Sequence, residues 1–377
     1  MMKTSKFTTM ELKKINKSSI YHFIYNARQT SKQETASALS IGLTTVSQNL
    51  KLLEEEGLIT RQGFFASTGG RKANILQIVA DYKISIGIEI LKDRIHLAAV
   101  NLYGELAASR TIQTPFLSDC GYCQALAKEL DTFLLDYGIE ASKILGVSIA
   151  LQGIVSQNGS QIIYGKLLHE PDLSLSNFQN YIPFPCRLEH DSKAAAYREI
   201  WHKKEFKDSL ILLLNENLGS ALVIDGKIRH GLHGCSTTLE HLCLDSHGPA
   251  CYCGQKGCLE TYCSAQSLQQ AWGNSLESFF SSLRQGETIA RSLWDRYLEN
   301  LAQAIKSFTL MLDVPIILSG YLSPYLHSED LEKIYAILES LWPFPLSRDF
   351  LYISSHGPLS PAAGAALSYI EDFLEEL

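Results

Sequence analysis

His241, Cys251, Cys253 and Cys258 form the string H-x9-C-x-C-x4-C, which limits the fold of this chain more than any other feature. One imidazole and three thiolates are a complete tetrahedral donor set for Zn2+. Gly254 and Gly257 let the backbone turn tightly enough for closely spaced thiols to face one ion. A site with four protein ligands is closed to water and substrate, so the expected zinc is structural, not hydrolytic. Cys243, His247 and Cys263 lie in the same stretch and stay open as rival ligands.

The chain has nine cysteines, and its start, Met1-Met2-Lys3-Thr4-Ser5-Lys6, is not followed by the apolar run of a signal peptide. Without an export signal the cysteines do not read as a disulfide framework. Cys120, Cys123, Cys186, Cys235, Cys243 and Cys263 are scattered, and most are expected to be reduced and buried; nothing near the C-x-x-C at Cys120–Cys123 marks a redox fold. No apolar run reaches the roughly 18 residues of a membrane span, so no membrane partner and a cytoplasmic location are expected. A length of 377 residues points to two or three domains.

The formal charge of −7 is unpromising for a nucleic-acid binder, but it is unevenly spread. Residues 1–78 hold 11 of the 33 Lys and Arg and 5 of the 40 Asp and Glu, giving +6 and leaving −13 for the rest. A basic head on an acidic body fits a DNA-binding domain joined to something else.

Within the head, Ile20, Phe23, Ile24 and Ala27 recur at helical spacing after the possible caps Ser18 and Ser19. Ser31-Lys32-Gln33-Glu34 is a capping-box start for a second helix. Ser40-Ile41-Gly42-Leu43 predicts a glycine turn, and Thr44–Leu53 a third helix. Val46, Leu50 and Leu53 share the buried face of that helix. Thr44, Ser47, Gln48 and Lys51 face outward, with hydroxyls, an amide and a cation suited to base edges and phosphates. Gly63-Phe64-Phe65 and Ala73–Ile78 read as the strands of a wing, joined by a loop in which Gly70, Arg71 and Lys72 would approach DNA. The pattern is a winged helix-turn-helix; a helical protein–protein module with a basic loop is the alternative.

In the body, strands are expected at Tyr82–Ile90, Ile95–Leu102, Ile144–Leu151, Ser209–Leu214 and Ala221–Ile224, with a turn at Asn101–Glu105 and a strand residue at Ile228. Helices are expected near Gly121–Tyr137, Ser192–His202, Ser267–Leu283, Thr288–Leu312 and Pro361–Leu377. This mixture implies a two-lobed α/β body.

The run Cys251-Tyr252-Cys253-Gly254-Gln255-Lys256-Gly257-Cys258-Leu259-Glu260 resembles the signature of the ROK proteins (repressors and sugar kinases). Leu188–Ala196 is similar to that family's sugar-site stretch, E-N-D-A-N-A-A-A. Asp225–Ile228, Ile316–Gly320 and Ala362–Ala366 resemble its n-G-k-l turn, the strand entering its second nucleotide loop and its C-terminal A-x-G-A-A helix. The resemblance implies an actin-like (ribonuclease H-like) fold with sugar bound between two α/β lobes. The domains are then 1–80, the winged helix-turn-helix, and 81–377, the ROK domain, with lobe 1 about 81–190 plus the C-terminal helix 361–377 and lobe 2 about 191–360.

The resemblance places sugar contacts at His190, Asp191, His241 and Glu260. Two positions depart from the family: His190 stands for Asn, and Thr238 for the glutamate of G-E-I-G-H, with Glu240 two residues on. The phosphate loops depart further. The family's D-I-G-G-T is Glu89-Ile90-Leu91-Lys92-Asp93, its T-G-I-G-G-G becomes Asn215–Ala221 with one glycine and an added carboxylate, and its G-G-G becomes Ser319-Gly320-Tyr321. Side chains there block the backbone approach that ATP phosphates need. The expected function is therefore not enzymatic. It is a sugar-responsive, DNA-binding transcriptional regulator, a repressor of carbohydrate-use genes, with operator DNA and a sugar or sugar phosphate as partners. A homodimer or homotetramer is expected, since paired half-sites call for a symmetric oligomer. The rivals are a sugar kinase with a fused DNA-binding head, and a repressor controlled by a protein partner without a small ligand.

Overall fold

The computed structural model describes residues 8–66, 73–156, 158–165, 174–201 and 203–377. These form two units, described separately below.

The first unit holds three helices and a two-stranded wing. Helix α1 spans Thr9–Ala27. It starts well before Ser18 and Ser19, because Thr8 accepts from the Glu11 amide while the Glu11 carboxylate reaches back to the Thr8 amide at 2.6 Å. That reciprocal pair satisfies two donors left open at a helix start. Helix α2 spans Lys32–Leu39. Ser31 caps it as expected, yet the Glu34 carboxylate turns instead to the Thr30 hydroxyl at 2.8 Å. The turn into α3 (Leu43–Glu55) is also made differently: Ser40 takes the left-handed conformation at φ 53°, whereas Gly42 at φ −58° is the N-cap. Val46, Leu50 and Leu53 are buried, joined by Asn49, whose amide donates to the Thr45 carbonyl. The wing pairs β1 (Ile59–Phe64) antiparallel with β2 (Asn74–Ile78), and Thr30 bridges to Leu76 beside it. The unit also takes in residues 101–105 and 369–377. There Tyr25 donates to the Leu102 carbonyl, and Arg28 lies over the Tyr103 ring while pairing with Glu105.

The second unit carries two five-stranded sheets. Its first half runs β3 (Ile84–Ile90), β4 (Arg94–Asn101), β5 (Leu106–Gln113), α4 (Cys120–Asp136), β6 (Ile144–Leu151), β7 (Ile154–Val155), β8 (Ile162–Tyr164), α5 (Leu175–Gln179), β9 (Cys186–His190) and α6 (Asp191–Ile200). The sheet order is β5-β4-β3-β6-β9, with β6 and β9 parallel. The second half runs β10 (Ser209–Leu214), β11 (Leu218–Ile224), β12 (Lys227–Ile228), α7 (Glu260–Cys263), α8 (Ala265–Trp272), α9 (Leu276–Gln285), α10 (Thr288–Leu312), β13 (Ile316–Ser319), α11 (Ser328–Leu341), β14 (Leu351–Ile353) and α12 (Ser360–Glu376), whose residues from Tyr369 on are those counted with the first unit. Its order is β12-β11-β10-β13-β14, with β10, β13 and β14 parallel.

The single helix expected over Ser267–Leu283 is two helices. Gly273 ends α8 at φ 80°, and Ser275 caps α9 by accepting from the Ser278 amide. Phe279, Trp294, Leu298 and Phe308 anchor the core behind the second sheet. Two glycines set the seat of α12. A Cβ at Gly87 would lie 1.7 Å from the Ala362 carbonyl, and one at Gly364 1.8 Å from the Ala194 carbonyl. Backbones meet there directly, so no side chain is tolerated. No helix among the described residues is long and apolar enough to cross a membrane.

Candidate functional site

The segment 241–258 folds back on itself as its sequence requires. Leu244 donates to the Gly257 carbonyl, Leu259 to Leu242 and Cys251 to Gln255. Gly257 at φ 68° sits where a Cβ would lie 1.6 Å from the Asp245 carbonyl. The result gathers the ligand atoms of His241, Cys251, Cys253 and Cys258 within 4.8 Å of one another, a group able to hold a metal ion. His241 Nδ1 is 3.7 Å from Cys251 Sγ, and Cys253 Sγ is 3.7 Å from Cys258 Sγ. All four cysteines of the segment are free thiols, and so is Cys263; of the six scattered cysteines, Cys123, Cys186 and Cys263 are buried as expected, but Cys120, Cys235 and Cys243 are exposed. The rival ligands stand apart: Cys243 is exposed beside the Lys256 carbonyl, the His247 side chain is 94% exposed, and Cys263 is buried in the helical core.

A cavity of about 700 Å³, open to solvent, adjoins this knuckle. His190, Asp191, His241, Asn217, Thr238 and Glu240 supply polar groups to its lining. β9 ends at His190 and α6 begins at Asp191, so both side chains sit at a strand-to-helix junction. Burial pushes the Asp191 carboxyl up to about 7; Glu89 adds to the rise, and the Ser192 amide, donating at 2.6 Å, opposes it. Burial also lowers His190 to about 3, helped by Lys193 and His230. His190 is therefore neutral, and its 3.7 Å approach to Asp191 is a contact and not an ion pair. Its Nδ1 shares a proton with the Ser192 hydroxyl at 2.7 Å.

Glu260 is the expected sugar contact that does not line the cavity. It is buried, and its two oxygens accept from Asn217 Nδ2 and the Leu218 amide, both at 2.7 Å. Asn217 and Leu218 are the residues that reach the lining. Burial raises Glu260 to about 7 against these two hydrogen bonds. Glu240, absent from the expected contacts, is present in the lining; burial raises its carboxyl to about 8, opposed by its own backbone amide. The signal for it was its place beside His241.

A second, larger cleft of about 1440 Å³ in the same unit is lined by strands of the first sheet, the loop after β10 and residues of α8 and α9. Glu89, Asp93, Glu216 and Glu277 face it, with Arg94 as a cation. Arg94 is committed to Asp93 at 2.8 Å and to Glu216 in a close ion pair, while Glu89 holds His96 Nδ1 at 2.8 Å.

Of the expected DNA-contacting residues, Thr44, Gln48 and Lys51 are exposed on α3. Ser47 is half-buried, and its hydroxyl donates back to the Leu43 carbonyl at 2.8 Å. Gly70, Arg71 and Lys72 lie outside the described residues.

A family model described as the ROK family matches residues 85–367. The xylose repressor of Caldicellulosiruptor bescii is 26% identical over 261 residues, 68% of this chain and 65% of that relative, so the chain spans slightly under two thirds of its length. Among solved structures, a ROK family transcriptional regulator described as a homologue of the Escherichia coli MLC protein superposes with TM-score 0.74 at 21% identity, over 96% of this chain and 98% of the other. A ROK family glucokinase from Streptomyces griseus, solved with glucose and AMPPNP, superposes with TM-score 0.65 at 18% identity, over 76% of this chain and 98% of the other. These likenesses show the fold, a winged helix-turn-helix with a two-lobed, actin-like α/β body. Regulators and kinases share that body, so the fold alone does not choose between them. What the family model does decide, by covering most of the length, is membership: the chain belongs to the ROK family.

Proposed function

We propose that this chain is a sugar-responsive, cytoplasmic transcription regulator and not an enzyme. One observation carries the reading: a cavity lined by hydroxyl-binding groups lies in the same unit as a cleft whose phosphate-facing positions are carboxylates. Phosphates would meet Glu89, Asp93, Glu216 and Glu277, with Arg94 already neutralised by two of them. A sugar bound at His190, Asp191 and His241 would find acceptors for its hydroxyls but no phosphoryl donor held nearby.

Residues 1–80 are proposed as the operator-binding head, with Thr44, Gln48 and Lys51 of α3 entering the major groove and Gly70, Arg71 and Lys72 of the wing reaching the adjacent backbone or minor groove. Residues 81–377 form the sensing body, and repression of carbohydrate-use genes is the proposed output. The named xylose repressor supports that direction. A homodimer or homotetramer would present two heads to paired half-sites. The effector shifts operator affinity to the extent that it binds one arrangement of the lobes better than the other.

The metal is proposed to be structural zinc. Zinc–sulfur bonds of about 2.3 Å put tetrahedral ligand atoms about 3.7 Å apart, which agrees with the two 3.7 Å contacts of the cluster. When bound, zinc would close the knuckle; the chain itself supplies the orientation of His241, whose ring lines the cavity.

Asp191 favours one rival. A carboxyl held near 7 beside a sugar cavity is suited to take a hydroxyl proton. A coupled ATP-consumption assay over pentoses, hexoses and N-acetylhexosamines decides between them: the regulator shows no sugar-dependent turnover, and turnover abolished by Asp191→Asn would establish a kinase. The regulator reading also requires selection of a defined duplex from a random DNA library, with sugar shifting its affinity.

A further inference from the structure

In the stretch 237–241 the carboxylate that this family's pattern places at the second position is absent, since Thr238 stands there. The structure brings a different carboxyl to the same cavity. Glu240 lies in the short turn Leu239–His241, is 8% exposed, and lines the cavity with Asp191 and His190. Its Oε2 is buried and has no hydrogen-bond partner among the described residues. The neighbouring carboxyls are differently placed. Both oxygens of Glu260 are taken by Asn217 and Leu218, and Asp191 accepts from the Ser192 amide.

A buried carboxyl oxygen left without a partner is costly, and native proteins keep such groups where a ligand completes them. The turn cannot easily redirect it, because the next residue, His241, belongs to the metal cluster. Nor can Thr238 substitute: its hydroxyl is short and already faces the Cys235 carbonyl at 3.5 Å.

We propose that Glu240 contacts the effector directly, accepting a hydrogen bond from one ring hydroxyl at Oε2 and so replacing, from two residues further along, the acceptor that Thr238 lacks. This rests on the sugar-sensor reading above.

The test is calorimetric titration of the full, metal-loaded chain with D-xylose, D-glucose and N-acetyl-D-glucosamine, followed by monodeoxy analogues of whichever binds. Glu240→Ala is expected to weaken the parent sugar by about 10- to 100-fold. One deoxy analogue should bind wild type correspondingly weakly yet bind Glu240→Ala no worse than the parent does, which a merely structural role would not produce. Metal content is measured on each variant; if Glu240→Ala loses metal or fold, Glu240→Gln makes the same comparison. Unchanged affinity in Glu240→Ala, with binding lost in Asp191→Asn, overturns the role of Glu240 and leaves the sensor reading standing. Absence of binding by wild type to all three sugars overturns both.

Discussion

Glu260 accepts a 2.7 Å hydrogen bond from Asn217 Nδ2, joining the helix that follows the metal knuckle to the loop between β10 and β11. Its second oxygen accepts from the Leu218 amide. The metal segment and the cavity wall therefore share one carboxylate, although that carboxylate does not itself face the cavity.

Glu260→Ala should reach the ligand at one remove. Losing a buried carboxylate with two hydrogen bonds, and leaving the Leu218 amide unpaired, costs about 2–4 kcal/mol. Urea unfolding would show it, and sugar affinity should fall with it because Asn217 and Leu218 are no longer held. Full stability in the variant would refute the bracing role.

Asp191 sets a pH dependence. Burial raises its folded-state pKa to about 7, well above the ordinary aspartate value of about 3.9, so the folded protein holds this proton more tightly than the unfolded chain. Below pH 4 both states are protonated and the group is neutral in its effect. Between about 4 and 7 its contribution to stability falls as pH rises, and above 7 the full penalty remains. Glu89, on β3, adds to the rise, while the Ser192 amide on α6 opposes it. Asp191→Asn should therefore stabilise the protein above pH 7, by roughly 1–3 kcal/mol, while abolishing the sugar response. Thermal unfolding from pH 5 to 8 in both proteins checks the slope.

Removing the metal should cost stability and sensing together. Chelation, or Cys253→Ser, is expected to lower Tm by at least about 5 °C and to weaken sugar binding through His241. An apo protein with unaltered Tm and affinity would rule out a structural metal.

On α3 the three kinds of side chain should behave differently. Lys51 is exposed and only loosely paired with Glu55 at 3.6 Å, so Lys51→Ala should weaken all DNA sequences alike and reduce the salt slope by about 1. Gln48→Ala should relax specificity at one base pair at a cost of about 1–3 kcal/mol. Ser47→Ala should do little, because its hydroxyl is bonded to the Leu43 carbonyl. Equilibrium titrations with a selected duplex at several salt concentrations separate the three outcomes.

Features written in short-range spacing were legible in the chain itself. The four side chains of the candidate metal cluster converge because their separation and two glycines leave few other closures, and the buried stripe Val46, Leu50, Leu53 follows from helical periodicity. The break between α8 and α9 was also written there, as Gly273-Asn274-Ser275, but the apolar periodicity on either side obscured it. Thr8 and Glu11 likewise held the true start of α1. β9 was not legible as a strand: Cys186–His190 is short, carries Arg187 and Glu189, and is extended because it pairs with β6. The direction of Glu260 and the orphaned oxygen of Glu240 depend on neighbours remote in sequence, Asn217 and Asp191 among them, so no local pattern encodes them.

On the proposed reading, the Arg94–Glu216 pair bears on what the protein can sense. A nucleotide-binding sensor answers to two supplies at once, its sugar and the cell's energy charge. If the chain is the regulator proposed above, with the cleft's Arg94 held by its own carboxylates, it would answer to one. Its output would follow nutrient availability in starved and well-fed cells alike, leaving adenylate status to be read elsewhere.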